Sequence, residues 1–263
     1  MKKWITNISW ILFLATLMFT LGFSGRKQDV KVCSDIRIEI DHSSGNFFIT
    51  EEDINAMVYH EVDTVIGRPI AAIKTERLEL KISNHPSIAS AEVYKTINGH
   101  LVIQVKQRKP IVRLYNTKGE SFYLDEKGNP MPISEQYTSH VLVANGFISN
   151  SYVEAHRIKE DHKADSLKNQ DLLNDIFLFA QFIHQDDFWN AQIEQLYVNK
   201  DLEIELIPRV GNHRIVFGDA TELDKKFNKL KIFYKKGLSQ TGWNEFSVIN
   251  LKYDDQIVCK KRY

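Results

Sequence analysis

Few residues in this chain have the types and spacings that bond-making chemistry needs. His156 and His162 stand among Glu154, Glu160, Asp161 and Asp165, the nearest thing to a metal-ligand set. Their separation matches no common ligand spacing, and no helical turn aligns the two imidazoles. A solvated charged face is the expectation, with no metal. Asp125 and Glu126 are adjacent acids, but they sit in Asp125-Glu126-Lys127-Gly128, where carboxylates cap the backbone of a turn. Cys259 has no neighbouring histidine or basic helix end to make it a nucleophile, and its place in a strand favours a packed thiol. Gly-x-Ser-x-Gly, His-Glu-x-x-His and a phosphate-binding glycine loop are all missing from the sequence. No catalytic residue, cofactor or small-molecule substrate is nominated, and the chain reads as a non-enzyme.

What remains is recognition. Arg108, Lys109 and Arg113 form the basic cluster that stands out. It reads either as a polar seam between two domains or as a docking surface for an acidic partner protein. Trp243, after Gly242, reads as core or as a contact. The 263 residues carry a formal net charge of zero, which argues against nucleic acid, a partner that needs a basic face. That length allows one or two domains with a buried core. Two cysteines, Cys33 and Cys259, are too few for a disulfide framework; they are read as free thiols or as one long-range pair.

The elements that would position these residues follow from periodicity. The stretch Leu101 to Tyr115 organises the chain. Leu101, Ile103 and Val105 alternate with Val102, Gln104 and Lys106, the period of a half-buried strand. The junction Gln107, Arg108, Lys109 and Pro110 then ends it, since proline removes a donor and restricts the residue before it. Ile111, Val112 and Leu114 begin a second strand. A first module is therefore expected over 33–107 and a second over 108–263.

Before them lies an apolar run, Trp4 to Phe23, close to the ~20 residues a membrane span needs. It reads as an anchor over 4–23 after a short tail at 1–3, with the bulk of the chain exported. A cleaved signal peptide is the other reading, given Gly22-Phe23-Ser24. The first module then predicts a strand at Ile36 to Ile40 and a helix after the capping box Thr50-Glu51-Glu52-Asp53. A second helix follows, capped by Thr75 and ending before His85-Pro86. A hairpin closes the module around Asn98-Gly99.

The second module predicts strands at Phe122 to Leu124, Val141 to Val143, Ile193 to Val198, Leu202 to Leu206 and Arg214 to Phe217. Met131, between two prolines, is expected to be extended and unpaired. Glu154 to Lys168 is a charge-rich loop or exposed helix. Leu172, Ile176, Phe179 and Ile183 form one helical face; Leu223, Phe227, Leu230 and Tyr234 form another, after a capping box at Thr221 to Asp224. The last strands are Phe246 to Tyr253 and Gln256 to Lys260. The fold class is α+β, with an antiparallel or mixed sheet and helices laid on it.

The order strand, helix, helix, strand, strand, with Asn84-His85-Pro86-Ser87-Ile88 leading into Ala91-Glu92-Val93, resembles a POTRA domain. Gln107-Arg108-Lys109-Pro110-Ile111 and Tyr123-Leu124-Asp125-Glu126-Lys127-Gly128 are similar to the junction in the bacterial cell-division family FtsQ, also called DivIB. One span, one POTRA domain and a β domain is that family's layout. The resemblance implies a divisome scaffold in the cell inner membrane, periplasmic for most of its length and septal at division. Its direct partners would be FtsB-like and FtsL-like division proteins, through which it would help regulate septal peptidoglycan synthesis. A POTRA-bearing envelope transport or outer-membrane assembly factor is the alternative, though no lipid-facing barrel pattern is evident. An exported hydrolase is a third reading, without the residues to carry it.

The resemblance also points to a partner site. Asn250-Leu251-Lys252-Tyr253-Asp254 resembles the family stretch in which an Arg-Tyr pair contacts FtsB, with Lys252 in place of the arginine. Tyr253 would be the anchor, Lys252 a rim charge beside Leu251, and Gln256, Ile257, Val258 and Cys259 an edge that accepts a partner strand.

Overall fold

The computed structural model describes residues 10, 12–19, 31–62, 64–160 and 167–262. These fall into two compact units, Met1–Gln107 and Arg108–Tyr263. Most of the expected anchor lies outside the described residues; residues 10 and 12–19 are helical. No helix among the described residues is long and apolar enough to cross a membrane.

The first unit is a three-stranded sheet with two helices on it. Its elements are β1 (Asp35–Asp41), α1 (Glu51–Glu61), α2 (Thr75–Ser83), β2 (Ile88–Lys95) and β3 (His100–Gln107), in the sheet order β1-β3-β2. Strand β1 runs parallel to β3, and β2 antiparallel to it. Leu101, Ile103 and Val105 point into the core with Ile54 and Val58 of α1 and Leu78 and Ile82 of α2, as their spacing predicts. Val102 departs from it: expected on the open face, it is only 4 % exposed, flanked in register by Arg37 and Tyr94. Thr50 and Asp53 close the capping box at the start of α1. Thr75 does not cap α2. It is the first residue inside that helix, and Lys74 precedes it without a side-chain bond. The Glu79 carboxylate of α2 accepts from the Val93 backbone at 3.1 Å, so the helix covers part of the β2 edge.

Gln107 ends β3 with its side chain buried. Its Oε1 accepts from the backbone N–H groups of Phe48 and Ile49, and its Nε2 donates to the Asn46 carbonyl. The junction glutamine is thus a structural member of the first unit, holding the loop that leads into α1.

The second unit is a nine-stranded mixed sheet. Strands β4 (Pro110–Tyr115), β5 (Ser121–Asp125), β6 (Pro130–Met131), β7 (Leu142–Gly146), β8 (Ile193–Val198), β9 (Ile204–Pro208), β10 (Arg214–Gly218), β11 (Phe246–Asn250) and β12 (Val258–Lys261) lie in the order β12-β11-β10-β9-β8-β7-β4-β5-β6. Met131 is not unpaired, as its proline neighbours predict; it pairs with Tyr123 on β5. An edge strand can hold Pro130 because the missing donor need not serve a ladder there. Helices α3 (Tyr152–Glu160), α4 (Leu167–Gln185), α5 (Asp187–Gln192) and α6 (Leu223–Phe233) complete the unit.

Aromatic rings join helices to sheet. Phe227 of α6 lies 4.4 Å from Phe182, 4.8 Å from Phe217 and 4.9 Å from Trp189, between ring centroids. Trp243 belongs to this core, 5.0 Å from Tyr234. The expected capping box at Thr221 does not form. Asp219 takes both the backbone N–H and the hydroxyl of Thr221, and Glu222 adopts a left-handed conformation before α6.

Candidate partner-binding edge

Strand β12 is last in the sheet order, with β11 on one side and, among the described residues, no strand on the other. It pairs antiparallel with β11 through Ile249↔Cys259 and Asn250↔Val258, and β11 pairs parallel with β10. Ser247 Oγ donates to the Lys260 carbonyl at 3.2 Å, reinforcing the pairing.

Strand β11 stops at Asn250, three residues earlier than its pattern predicts. The Asn250 carboxamide accepts from the Lys252 backbone at 2.9 Å, a side-chain turn that ends the ladder. Lys252 and Tyr253 therefore lie in the connection between the two strands, and so does Gln256. Leu251 is fully buried in the core, so its side chain is not available to a partner; it anchors the connection from inside. Tyr253 is 50 % exposed and Val258 43 % exposed, while Ile257 and Cys259 are half-buried. Burial raises the Cys259 thiol pKa, keeping it protonated and packed.

Two contacts fix this connection. Lys229 of α6 donates to the carbonyls of Leu251 at 3.2 Å and Asp254 at 3.4 Å, and also to that of Tyr253. Burial lowers the Lys229 pKa. Lys252 makes an ion pair with Glu203 at the start of the β9 arm; the hydrogen bond to that carboxylate raises its pKa. The rim charge is thus already engaged within the unit. Lys229 had no signal in the sequence, standing among Lys225, Lys226 and Lys231 on one helix. Asn250 did, as a turn-former ahead of Leu251.

The side chains of Arg108 and Arg113 are engaged within the second unit. Arg113 lies 5.0 Å from the Tyr115 ring centroid and 5.4 Å from that of Tyr123, and donates to Ser121 Oγ. Arg108 faces the buried Asp125 at 3.9 Å and donates to the Pro130 carbonyl. The Lys109 carbonyl accepts from Glu126. The Asp125 carboxylate accepts from the backbone of Lys127 and Asn129, the capping role its position predicts. These residues brace the first hairpin of the second unit. Cys33 and Cys259 are both free thiols.

Among the described residues no group of His, Cys, Asp or Glu could hold a metal ion. Asp161, His162 and Asp165 of the charged segment lie outside the described residues. The region thus combines a terminal strand, a half-exposed Tyr253 and a connection pinned by Lys229.

Comparison with known proteins agrees with this architecture. A model of the POTRA-like domain matches residues 31–106. No curated protein matches the chain. The model described as FtsQ/DivIB, C-terminal related, matches residues 109–260, which include β11, the connection after it and β12 as far as Lys260. By that match over more than half its length, the chain belongs to the FtsQ/DivIB family of bacterial cell-division proteins.

Proposed function

We propose that this protein is a non-enzymatic divisome scaffold. It is anchored in the inner membrane by the apolar segment over 4–23, with its two units in the periplasm. It captures FtsB-like and FtsL-like proteins on the β12 edge and so helps regulate septal peptidoglycan synthesis. The observation that carries the reading is the edge itself. Strand β12, Val258–Lys261, ends the sheet order, and a partner strand added on its outer side would extend the sheet.

Tyr253 supplies a flat amphipathic surface next to that edge, suited to anchoring a partner side chain. Lys252 is a point charge already shared with Glu203, so it steers a partner rather than clamping one. Ile257, Val258 and Cys259 set which side chains fit along the edge.

The test places a photo-crosslinking residue at Tyr253 or Val258 of the full-length protein in dividing cells. A small single-span protein captured from both positions is expected. Tyr253→Ala and a proline at Val258 should each lower capture at least tenfold while the melting temperature of the purified protein stays near wild type. Folded variants that capture the partner at wild-type strength would remove this edge as the binding site. Uniform envelope signal in place of midcell foci would argue against the division role.

A further inference from the structure

The first unit carries an apolar tip that its own core does not use. Three segments meet there. The strip Lys31–Cys33 is bonded on one side to the turn over 65–69: Cys33 N–H donates to the Arg68 carbonyl, Gly67 N–H to the Cys33 carbonyl, and Val32 bridges Pro69. On its other side lies the hairpin turn, with Ser34 N–H donating to the Gly99 carbonyl and Lys31 Nζ to the Ile97 carbonyl at 2.6 Å. Gly99 holds φ +88°, and a Cβ there would meet the Val32 carbonyl oxygen at 2.9 Å. Each segment contributes one exposed aliphatic side chain: Val32 at 49 %, Ile66 at 50 % and Ile97 at 79 %. Scattered exposed hydrophobics need no explanation, but three brought together from distant parts of the sequence make a patch.

Basic groups border the patch. Lys31 and Arg68 lie beside it. Arg68 also lines, with Lys74, Arg77 and Glu61, a groove of about 220 Å³. Of the acids at this end, Asp35 is engaged by Arg37 at 3.3 Å and lies 3.9 Å from His100, and Glu61 shares its groove with Arg68, Lys74 and Arg77. Aliphatic side chains ringed by lysine and arginine match a bilayer interface, where apolar groups enter between headgroups and cations meet lipid phosphates.

Chain length fixes the occupant. Only residues 24–30 separate Phe23 from Lys31, and they include Arg26, Lys27 and Asp29. Eight Cα steps at ~3.3–3.6 Å each reach less than about 30 Å. With the apolar segment embedded, the tip where the chain comes in cannot move far from the headgroups.

We propose that this tip rests on the membrane. Ile97, Ile66 and Val32 enter the interfacial layer, and Lys31 and Arg68 pair with the headgroups of anionic phospholipids. The inference rests on the anchored reading above and adds a second, peripheral contact that sets the orientation of the first unit.

The experiment uses the full-length protein with Cys259→Ser, in nanodiscs containing anionic lipid. A single cysteine at Ile97 carries an environment-sensitive fluorophore, and a cysteine at Leu80, exposed on α2 of the same unit, is the control. Cys33 is fully buried, and the parent without an added cysteine measures its background. The label at 97 should emit to the blue and be quenched by lipids spin-labelled near the glycerol backbone; the label at 80 should do neither. Raised salt, zwitterionic nanodiscs, or Lys31→Glu with Arg68→Glu should reduce the quenching at 97. Equal quenching at 97 and 80 in protein that has incorporated would overturn the docked tip and leave the anchor standing. Protein that fails to incorporate would overturn both. Quenching indifferent to lipid charge and to salt would remove Lys31 and Arg68 from the contact.

Discussion

The Gln107 amide sits 2 % exposed and serves the loop over 46–49 from the last position of its strand. Replacing it by leucine would keep the volume and strand both Phe48 and Ile49 N–H groups away from water. Each buried unpaired donor costs ~1–3 kcal/mol. Gln107→Leu should therefore lower the unfolding free energy of the first unit by roughly 2–4 kcal/mol, read as a shift in urea midpoint at constant slope. In the second unit His213 is buried, and its Nε2 lies 3.2 Å from the Tyr234 hydroxyl. Burial first, with Arg262 adding to it, lowers its pKa below the ordinary 6.5. Above that value neither the folded nor the unfolded state is protonated, and the contribution is intact. As pH falls below it the unfolded chain takes up the proton first, so stability is lost toward the lowered folded value. Thermal melts of wild type and His213→Gln between pH 7.5 and 5 should converge as the pH falls, because the variant lacks this loss. Parallel melting curves would show that His213 does not titrate in that window.

At the scale of elements, the aromatic cluster locks α5 and α6 to the sheet. Phe227→Ala would open a hole facing Phe182, Trp189 and Phe217 and should cost ~3–5 kcal/mol, measured by chemical denaturation. The helices and strands that bury one face were legible in the sequence. Leu101, Ile103 and Val105, or Leu172, Ile176, Phe179 and Ile183, carry a period that only one backbone conformation can turn toward a core. Element ends were less legible, because side-chain hydrogen bonds decide them. Asn250 stops β11 before Lys252, and Asp219 takes the Thr221 groups that would have capped α6. The terminal pair of strands was legible, but not which of its side chains face out. Leu251 and Tyr253 alternate as strand residues would, yet one lies in the core and the other on a connection pinned by Lys229. That contact joins residues 24 apart in sequence, and no local pattern encodes it.

For the whole molecule, the division into two units suggests where the chain can be cut. We expect Met1–Gln107 and Arg108–Tyr263 to fold separately. The cut belongs after Gln107, since one made after Lys106 would discard the amide that holds the loop before α1. Each fragment should unfold cooperatively by calorimetry, and a fragment that melts without a transition would show that the units depend on each other. One feature of the first unit bears on what happens when its ends are pulled. Strands β1 and β3 lie side by side and parallel, in register from Asp35↔His100 to Asp41↔Lys106. The chain comes in at the start of β1 and leaves at the end of β3. A tether pulled at one terminus by a membrane and at the other by a constricting septum would load these strands lengthwise, in opposite directions. Hydrogen bonds between them would be sheared together rather than peeled one at a time. Loaded in that way, the unit would act as a mechanical clamp. Pulled through residues 31 and 107 in an optical trap, it should rupture in one step at clearly higher force than when pulled through residues 88 and 107, which face each other across β2 and β3 and would unzip. Equal rupture forces in the two geometries would show that it bears no load this way.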